Sequence, residues 1–224
     1  MLDTFPELSS WPPPEPSLGC REPPLRSAGS CRSTLINYRY NRLIRTESHL
    51  ETKAVLVFLA RPDVIDVEEQ QRVSYLDERG NPRSHVFDLR VTFTTGRKVA
   101  YAVKPLATAL RKDLRAQLAR IAQFAPRSFA DAVALIVERD VSGWKYNNAA
   151  LLYSANLEPS DDEPAIAAVR AAISEGAATI GDAVRASKLQ GRAFRSILRL
   201  IGRGELVLAE GEIAYASKIW WAAQ

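Results

Sequence analysis

The sequence predicts an α/β protein that carries a small, mostly helical unit at its carboxyl end. The first two thirds of the chain alternate between segments with apolar residues at every second position and segments with apolar residues three or four positions apart. These two periods are typical of strands and helices, respectively. An acidic run flanked by prolines, residues 158–164, then marks a shift in composition, and three short helical patterns and two short strands follow it.

Composition and charge limit the class of protein. The chain has 224 residues, of which 46% are hydrophobic, enough for one large domain or two modest ones. Its net charge of +4 is compatible with nucleic-acid binding, but many proteins that do not bind nucleic acid share it. The longest apolar runs are far shorter than the roughly 20 residues of a membrane span, and the first residues lack a secretory signal pattern. We therefore expect a cytoplasmic protein with no membrane partner.

The first 32 residues are rich in proline, serine and glycine and are predicted to be a flexible arm. The prolines between Pro12 and Pro16 exclude a helix or a central strand there. The alternative is an arm that docks on a partner through Phe5 and Trp11. Cys20 and Cys31 lie in this part of the chain and suggest neither a disulfide framework nor a zinc site.

The elements of the main domain, residues 33–157, follow from periodicity and turn residues. A helix is predicted over residues 47–59, with Thr46 or Ser48 as its cap and Pro62 beyond its end. The other predicted elements are a strand over 72–76, a turn over 77–82, strands over 85–94 and 98–104, a helix over 106–124 and a strand over 135–137.

The C-terminal unit, residues 164–224, has the order of a winged helix-turn-helix domain, in which three helices precede a hairpin. The predicted elements are helices over 165–175, 180–186 and 189–201 and strands over 205–209 and 212–215.

Asp88 and Lys104 are the most informative pair of residues in the main domain. If residues 95–97 form the turn between two strands, Asp88 falls opposite Lys104, and both lie on one face of the sheet. An acid and a lysine side by side suit metal-assisted cleavage of a phosphodiester, in which the acid holds a divalent cation and the lysine orients water. The alternative is a strand-edge acid beside a solvated lysine.

Several short segments around this pair resemble, in order and spacing, the N-terminal domain of TnsA, the endonuclease partner of heteromeric bacterial transposases. The resemblance covers roughly residues 45–105, and a C-terminal winged helix also fits it. It implies a restriction-endonuclease-like fold, a mixed sheet flanked by helices. The segments are Ser48–Glu51, Pro62–Val64, Glu69–Gln70, Phe87–Asp88 and Val103–Pro105.

The resemblance implies a role for each matching residue. Glu51 matches the catalytic glutamate of the family, Asp88 the metal-binding aspartate and Lys104 the catalytic lysine. The backbone carbonyl of Val103 would complete a site for Mg²⁺ or Mn²⁺ together with Glu51 and Asp88. The implied activity is cleavage of the 5′ ends of transposon DNA. The implied partners are double-stranded DNA and a transposase subunit, with a regulatory ATPase as a further candidate.

Ala102 departs from the pattern of the family. The superfamily usually has glutamate two residues before the lysine, and TnsA has glutamine, whereas alanine offers no side-chain ligand. An inactive nuclease fold that binds DNA or assembles a transposition complex is therefore the alternative to an active enzyme. Glu47 is a rival to Glu51, and Arg90 is predicted either to pair with Asp88 or to contact the scissile phosphate.

A basic face is predicted on the third helix of the C-terminal unit, where arginines recur three and four residues apart. In a helix-turn-helix domain this face would enter the major groove of DNA. The alternatives are a solvated face used for protein contacts and, for the whole chain, a transcriptional regulator. The candidate DNA-binding residues are Lys188, Gln190, Arg192, Arg195 and Arg199.

Overall fold

The computed structural model of the chain describes residues 12–21, 31–158 and 160–223. Its strands are β1 (Ser33–Asn37), β2 (Arg42–Thr46), β3 (Val64–Leu76), β4 (Pro82–Phe93), β5 (Lys98–Val103), β6 (Ala132–Ile136), β7 (Leu206–Leu208) and β8 (Ile219–Trp221). Its α-helices are α1 (His49–Leu59), α2 (Leu106–Arg111), α3 (Leu114–Phe124), α4 (Trp144–Asn156), α5 (Glu163–Ser174), α6 (Ile180–Ser187) and α7 (Gly191–Gly202).

The centre of the main domain is a mixed four-stranded sheet in the order β3-β4-β5-β6. The first three strands are antiparallel neighbours, and β6 runs parallel to β5 after the connection through α2 and α3. One apolar cluster packs α1 against the sheet and a second packs α3 against it. The predicted α/β class, with a mixed sheet flanked by helices, is confirmed.

The strands β3 and β4 change their inward face at one point. On β4, Leu89 packs in the cluster of α1, whereas Phe87 packs in the cluster of α3, although only Asp88 lies between them. On β3, Val67 and Val73 divide between the two clusters in the same way. Between them Gln70 has a φ of +48°, in the left-handed region, so the regular alternation of side chains is interrupted where Gln70 and Asp88 lie.

The register between β4 and β5 differs from the predicted one. Leu89 pairs with Tyr101, Thr92 pairs with Lys98, and the N–H of Phe93 donates to the carbonyl oxygen of Arg97, so the turn lies at residues 94–96, one residue earlier than predicted. The same register extended by one residue sets Asp88 beside Ala102, and the prediction that Asp88 lies opposite Lys104 was wrong. A shift of two residues preserves the face of every side chain, which is why Asp88 and Lys104 still meet.

The structure differs from the prediction at other elements too. The single helix predicted over 106–124 is divided into α2 and α3 at Asp113, whose φ of 45° is incompatible with a continuous α-helix. The second strand of the C-terminal hairpin is β8, and not residues 212–215. Those residues form a loop that Asn148 holds by hydrogen bonds to the carbonyl oxygen of Gly211 and the N–H of Ile213. The sequence pattern also did not predict α4.

The C-terminal unit contains α5, α6, α7 and the β7–β8 pair around a third apolar cluster. Two residues of α4, Leu152 and Ala155, belong to this cluster. The same helix presents Tyr153 to the cluster of α1, where its hydroxyl accepts a hydrogen bond of 2.9 Å from the N–H of Ile36. Helix α4 therefore packs against both parts of the molecule.

Part of the predicted arm lies against the main domain. Glu15 pairs with the edge of β2, where its carbonyl oxygen accepts from the N–H of Leu43 over 2.9 Å, and Cys20 donates its N–H to the carbonyl oxygen of Gln70 over 3.0 Å. We call residues 15–21 the strap. Phe5 and Trp11, the docking residues of the alternative interpretation, lie outside the described residues. Across the described part of the chain, no helix is long and apolar enough to cross a membrane.

Candidate metal-dependent site

Asp88 and Lys104 form the centre of the candidate site. Oδ2 of Asp88 accepts a hydrogen bond of 2.7 Å from the N–H of Val103, and Nζ of Lys104 lies 2.9 Å from the same oxygen and 3.1 Å from Oδ1. The Asp88 side chain is 6% exposed and that of Lys104 is 39% exposed. One strand thus supplies a buried carboxylate, and the end of its neighbour supplies an amine that reaches solvent.

Glu51 lies at the start of α1, and its carboxylate takes part in the cap of that helix. Ser48 is the N-cap, and its hydroxyl accepts from the N–H of Glu51 and donates to Oε1 over 3.0 Å. The N–H of Glu47 donates to Oε2 over 2.8 Å. The Ser48 hydroxyl thus caps the N–H of Glu51, a donor that the start of a helix leaves unpaired, and the Glu51 carboxylate in turn binds the two residues that precede the helix. The local sequence therefore anchors Glu51 at 4% exposure.

Electrostatics link Glu51 to the central pair. Burial raises the pKa of the Glu51 carboxyl, and the nearby charge of Asp88 raises it further. The N–H of Glu47, Lys104 and the hydroxyl of Ser48 act in the opposite direction. Two carboxylates that repel each other in a buried setting are a favourable place for a cation. The structure thus joins Asp88 and Lys104 in direct contact and places Glu51 within electrostatic range of both.

Glu47, the rival to Glu51, faces the strap. Its Oε2 lies 3.0 Å from Nη2 of Arg21, and the Nε of that same arginine donates to Oε1 of Gln70 over 2.9 Å. The carboxylate of Glu47 is therefore engaged with an arginine cation, whereas the carboxylate of Glu51 accepts hydrogen bonds from its own helix cap.

The acidic residues alone do not complete a metal site. Among residues 12–21, 31–158 and 160–223, no group of three or more His, Cys, Asp or Glu side chains is arranged to hold a metal ion. Ala102 is 6% exposed and packs in the cluster of α3 beside Val73 and Phe87. Asp88 and Glu51 fit a hard divalent cation as two carboxylate ligands, and the remaining ligands must be water, backbone or amide oxygens.

Arg90 does not pair with Asp88. Its guanidinium makes two hydrogen bonds of 2.8 Å to Glu68, its cross-strand partner, and lies 5.3 Å from the centre of the Phe129 ring. A bidentate pair of this kind orients arginine firmly. Arg90 therefore stabilises the junction of β3 and β4, and the first of its two alternatives, pairing with Asp88, is not found.

Gln70 and His85 are two site neighbours to which the sequence analysis gave no role. Gln70 is 1% exposed and lies next to Asp88 in the β3–β4 register. Burial lowers the pKa of His85, while the charge of Asp88 raises it and that of Lys104 lowers it, which puts His85 within electrostatic range of both. The only sequence signal for Gln70 was its place in the series of segments around the site, and none singled out His85.

The predicted DNA-binding residues of the C-terminal unit divide into two groups. Lys188 and Gln190 are exposed. Each of the three arginines, in contrast, binds an acid that precedes α5: Arg192 pairs with Asp162, Arg195 with Glu158 and Arg199 with Asp161. We call Glu158, Asp161 and Asp162 the linker acids.

Arg199 is the most buried of these arginines, at 3% exposure. Its guanidinium also donates to the carbonyl oxygens of Ala155, Glu158 and Ser160. Arg199 therefore has a structural role in this conformation, and DNA contact by α7 stays a prediction.

Comparison with known proteins does not assign the chain. No protein-family model matches it, and no curated protein matches it. The interpretation of the site therefore rests on its residues and their geometry.

Proposed function

We propose that the chain is a metal-dependent DNA endonuclease, related to the TnsA-like subunits of heteromeric transposases. The observation that carries the proposal is the Asp88 carboxylate, which receives both the N–H of Val103 and the amine of Lys104 at the end of β5. The buried Glu51 carboxylate in electrostatic contact with Asp88 supports it. The mixed sheet flanked by helices is compatible with a restriction-endonuclease-like fold.

Each residue of the site has a chemical task in this proposal. Asp88 and Glu51 would hold Mg²⁺ or Mn²⁺, with the carbonyl of Val103 as a further ligand. The cation, when bound, would polarise the scissile phosphate. Lys104 reaches solvent, so its amine can orient the attacking water once it is released from Asp88. The hydrogen bonds from the N–H of Glu47 and the hydroxyl of Ser48 hold the Glu51 carboxylate in place before any ligand arrives.

The C-terminal unit would hold DNA or the transposase subunit. Its three helices followed by a strand pair are compatible with a winged helix-turn-helix domain. Lys188 and Gln190 are already exposed on it. Arg192 and Arg195 become available only if the linker acids release them.

Cleavage of transposon-end DNA tests the proposal. The full chain would be incubated with its transposase subunit and Mg²⁺, and 5′ cuts would be mapped on the DNA. We expect Asp88→Ala to reduce cutting by at least about 100-fold, since a cation contributes several kcal/mol to such a reaction. Arg83→Ala, which removes an exposed ion pair with Asp77 outside the site, serves as the matched control. Equal cleavage by the wild type and Asp88→Ala would contradict the enzymatic function.

The second candidate function is a catalytically inactive subunit that binds DNA or assembles the complex. Ala102 favours it, because this position is packed among apolar side chains and supplies no oxygen. In that case the full chain promotes assembly of the transposase on DNA, and Asp88→Ala has no effect on assembly or on cutting.

A further inference from the structure

The strap carries Arg21, whose guanidinium contacts residues next to the candidate site. The N–H of Cys20 donates to the carbonyl oxygen of Gln70, and Nε of Arg21 donates to the amide oxygen of the same residue. The other end of the Arg21 guanidinium contacts Glu47, whose N–H donates to Glu51. A single arginine thus bridges two oxygen-bearing side chains: Gln70, which lies opposite Asp88 in the strand register, and Glu47, which precedes α1 and donates its N–H to Glu51.

Gln70 is held in an unusual environment. It has a positive φ, which residues other than glycine rarely adopt. It is also almost completely buried. Glu69 pairs with Leu89 and Gln71 pairs with Phe87, so the register sets Gln70 beside Asp88. Within the described residues, its buried Nε2 has no hydrogen-bond partner. Strained and unsatisfied polar groups are costly and tend to cluster at functional sites.

The site needs an oxygen ligand that is not an acid. The described residues provide no group of three acidic, histidine or cysteine side chains for a metal, and Ala102 cannot contribute a ligand. An amide oxygen is a hard, uncharged donor of the kind that divalent cations accept in proteins. Gln70 is buried, its backbone lies opposite Asp88 in the register of β3 and β4, and its amide oxygen accepts a hydrogen bond from a positively charged group, the Arg21 guanidinium.

We propose that Gln70 Oε1 is a ligand of the divalent cation, in the role that Ala102 cannot fill, and that Arg21 holds this oxygen in the metal-free chain. The inference rests on the proposed function, because it requires a cation at Asp88 and Glu51. A metal ion and a guanidinium are both positive and compete for the same oxygen. Binding of the cation therefore displaces Arg21 and loosens the strap.

Calorimetric titration of the full chain with Mn²⁺ tests this competition. We expect Arg21→Ala to bind Mn²⁺ about tenfold more tightly than the wild type, since a bound competitor is removed. We expect Gln70→Leu to bind at least about tenfold more weakly, as even indirect partners of a metal affect affinity about 10–100-fold. Arg83→Ala, the matched loss of an exposed arginine, should leave the affinity unchanged.

The double variant separates competition from a general effect of charge. If Arg21 competes for the Gln70 oxygen, Arg21→Ala gives no gain in affinity when Gln70→Leu is already present. If removal of a positive charge acts only at long range, the gain persists in the double variant, and the inference is overturned. Gln70→Glu keeps an oxygen at the position and should bind Mn²⁺ at least as tightly as the wild type. Weak binding by Gln70→Glu would contradict the ligand role even if Gln70→Leu failed to fold.

Hydrogen exchange reports on the strap independently of activity. The N–H of Cys20, bonded to Gln70, should exchange faster when the wild-type chain is saturated with Mn²⁺. Tight binding of Mn²⁺ with unchanged exchange at Cys20 would rule out displacement of the strap. If Asp88→Asn abolishes Mn²⁺ binding while Arg21→Ala and Gln70→Leu leave it unchanged, this inference fails and the proposed metal site stands. If neither the wild type nor Arg21→Ala binds Mn²⁺, both fail.

Discussion

Glu51 combines two tasks that usually belong to different residues. Its carboxylate accepts hydrogen bonds from the N–H of Glu47 and the hydroxyl of Ser48, just before α1, and it also lies within electrostatic range of Asp88. The cap fixes the side chain, so a cation would meet a carboxylate that is already ordered. The Lys104 amine is bonded directly to Asp88, and it acts on Glu51 only through the electrostatic attraction that lowers the pKa of that carboxyl. In the metal-free chain the cost of this arrangement is a raised pKa at Glu51.

The pKa of Glu51 should respond in opposite directions to the two neighbouring charges. In the metal-free protein, Asp88→Asn should lower it, because a like charge is removed, and Lys104→Met should raise it, because an opposite charge is removed. Carbon-13 NMR titration of the side-chain carboxyl measures both shifts. The pKa of Asp63, which hydrogen bonds from Arg61 hold low, should not move in either variant. An unchanged Glu51 in both variants would show that the three groups are not in contact.

At the scale of elements, α7 is neutralised by the segment that precedes α5. The linker acids lie where phosphates of bound DNA would meet the arginines of the helix. Arg199 is committed to the fold by three carbonyl oxygens and one carboxylate. The exposed ion pairs of Arg192 and Arg195 contribute less to the stability of the fold, since ion pairs at the surface contribute about 0–1 kcal/mol. Of the basic face seen in the sequence, Arg199 is therefore buried and structural, whereas Arg192 and Arg195 are held only by exposed ion pairs.

Two arginines of α7 should differ strongly in their contribution to stability. We expect Arg199→Ala to lower the free energy of unfolding by about 3–5 kcal/mol, because it leaves buried partners unpaired. Arg195→Ala removes an exposed pair from the same helix and should cost no more than about 1 kcal/mol. Urea denaturation followed by circular dichroism measures both. Similar losses for the two variants would contradict the structural role of Arg199.

Removal of the linker acids should strengthen DNA binding if α7 contacts DNA. Glu158→Gln combined with Asp162→Asn frees Arg195 and Arg192 and raises the net charge from +4 by 2. We expect duplex affinity at low salt to rise at least about fivefold, because two more cations reach phosphates. Asp63→Asn with Glu205→Gln makes the same change in charge and frees Arg61 and Arg170 elsewhere. Equal gains in duplex affinity in the two double variants would show a general effect of charge and contradict DNA contact by α7.

At the scale of the whole molecule, α4 joins the two parts that the sequence separates at residues 158–164. Leu152 and Ala155 pack in the cluster of the C-terminal unit, and Tyr153 packs in the cluster of α1. Asn148 of the same helix holds the loop between β7 and β8. The predicted boundary falls after α4, but α4 belongs to both cores. The two parts should therefore depend on each other for stability.

The whole chain is expected to unfold in one transition. Circular dichroism and tryptophan fluorescence should give coincident curves in urea, because loss of either part exposes α4. Leu152→Ala should shift both curves together and cost about 2–5 kcal/mol, as for other buried leucines. Two separate transitions, or a Leu152→Ala effect confined to one of them, would show that the parts are independent.

Local signals in the sequence account for much of the sheet and of the central pair. Alternation predicted β4 and β5, and the Ser48 cap with the following apolar spacing predicted α1. The prediction that Asp88 and Lys104 share a face stayed correct although the turn was misplaced, because the side-chain period of a strand is two. Helix α4 and the strand β8 were missed because their stability comes from packing against distant segments, which leaves little trace in local periodicity.

Strand alternation was enough to select Asp88 and Lys104 as a pair on one face, and the family resemblance added Glu51 at the start of a helix. Which other residues surround them became clear only from the tertiary structure. It buried Gln70 beside Asp88, brought Arg21 from the arm onto it, and turned Arg199 from a surface cation into part of the core. The physical reason is that caps and alternation act between neighbours in sequence, whereas burial and ion pairing depend on which distant segments meet.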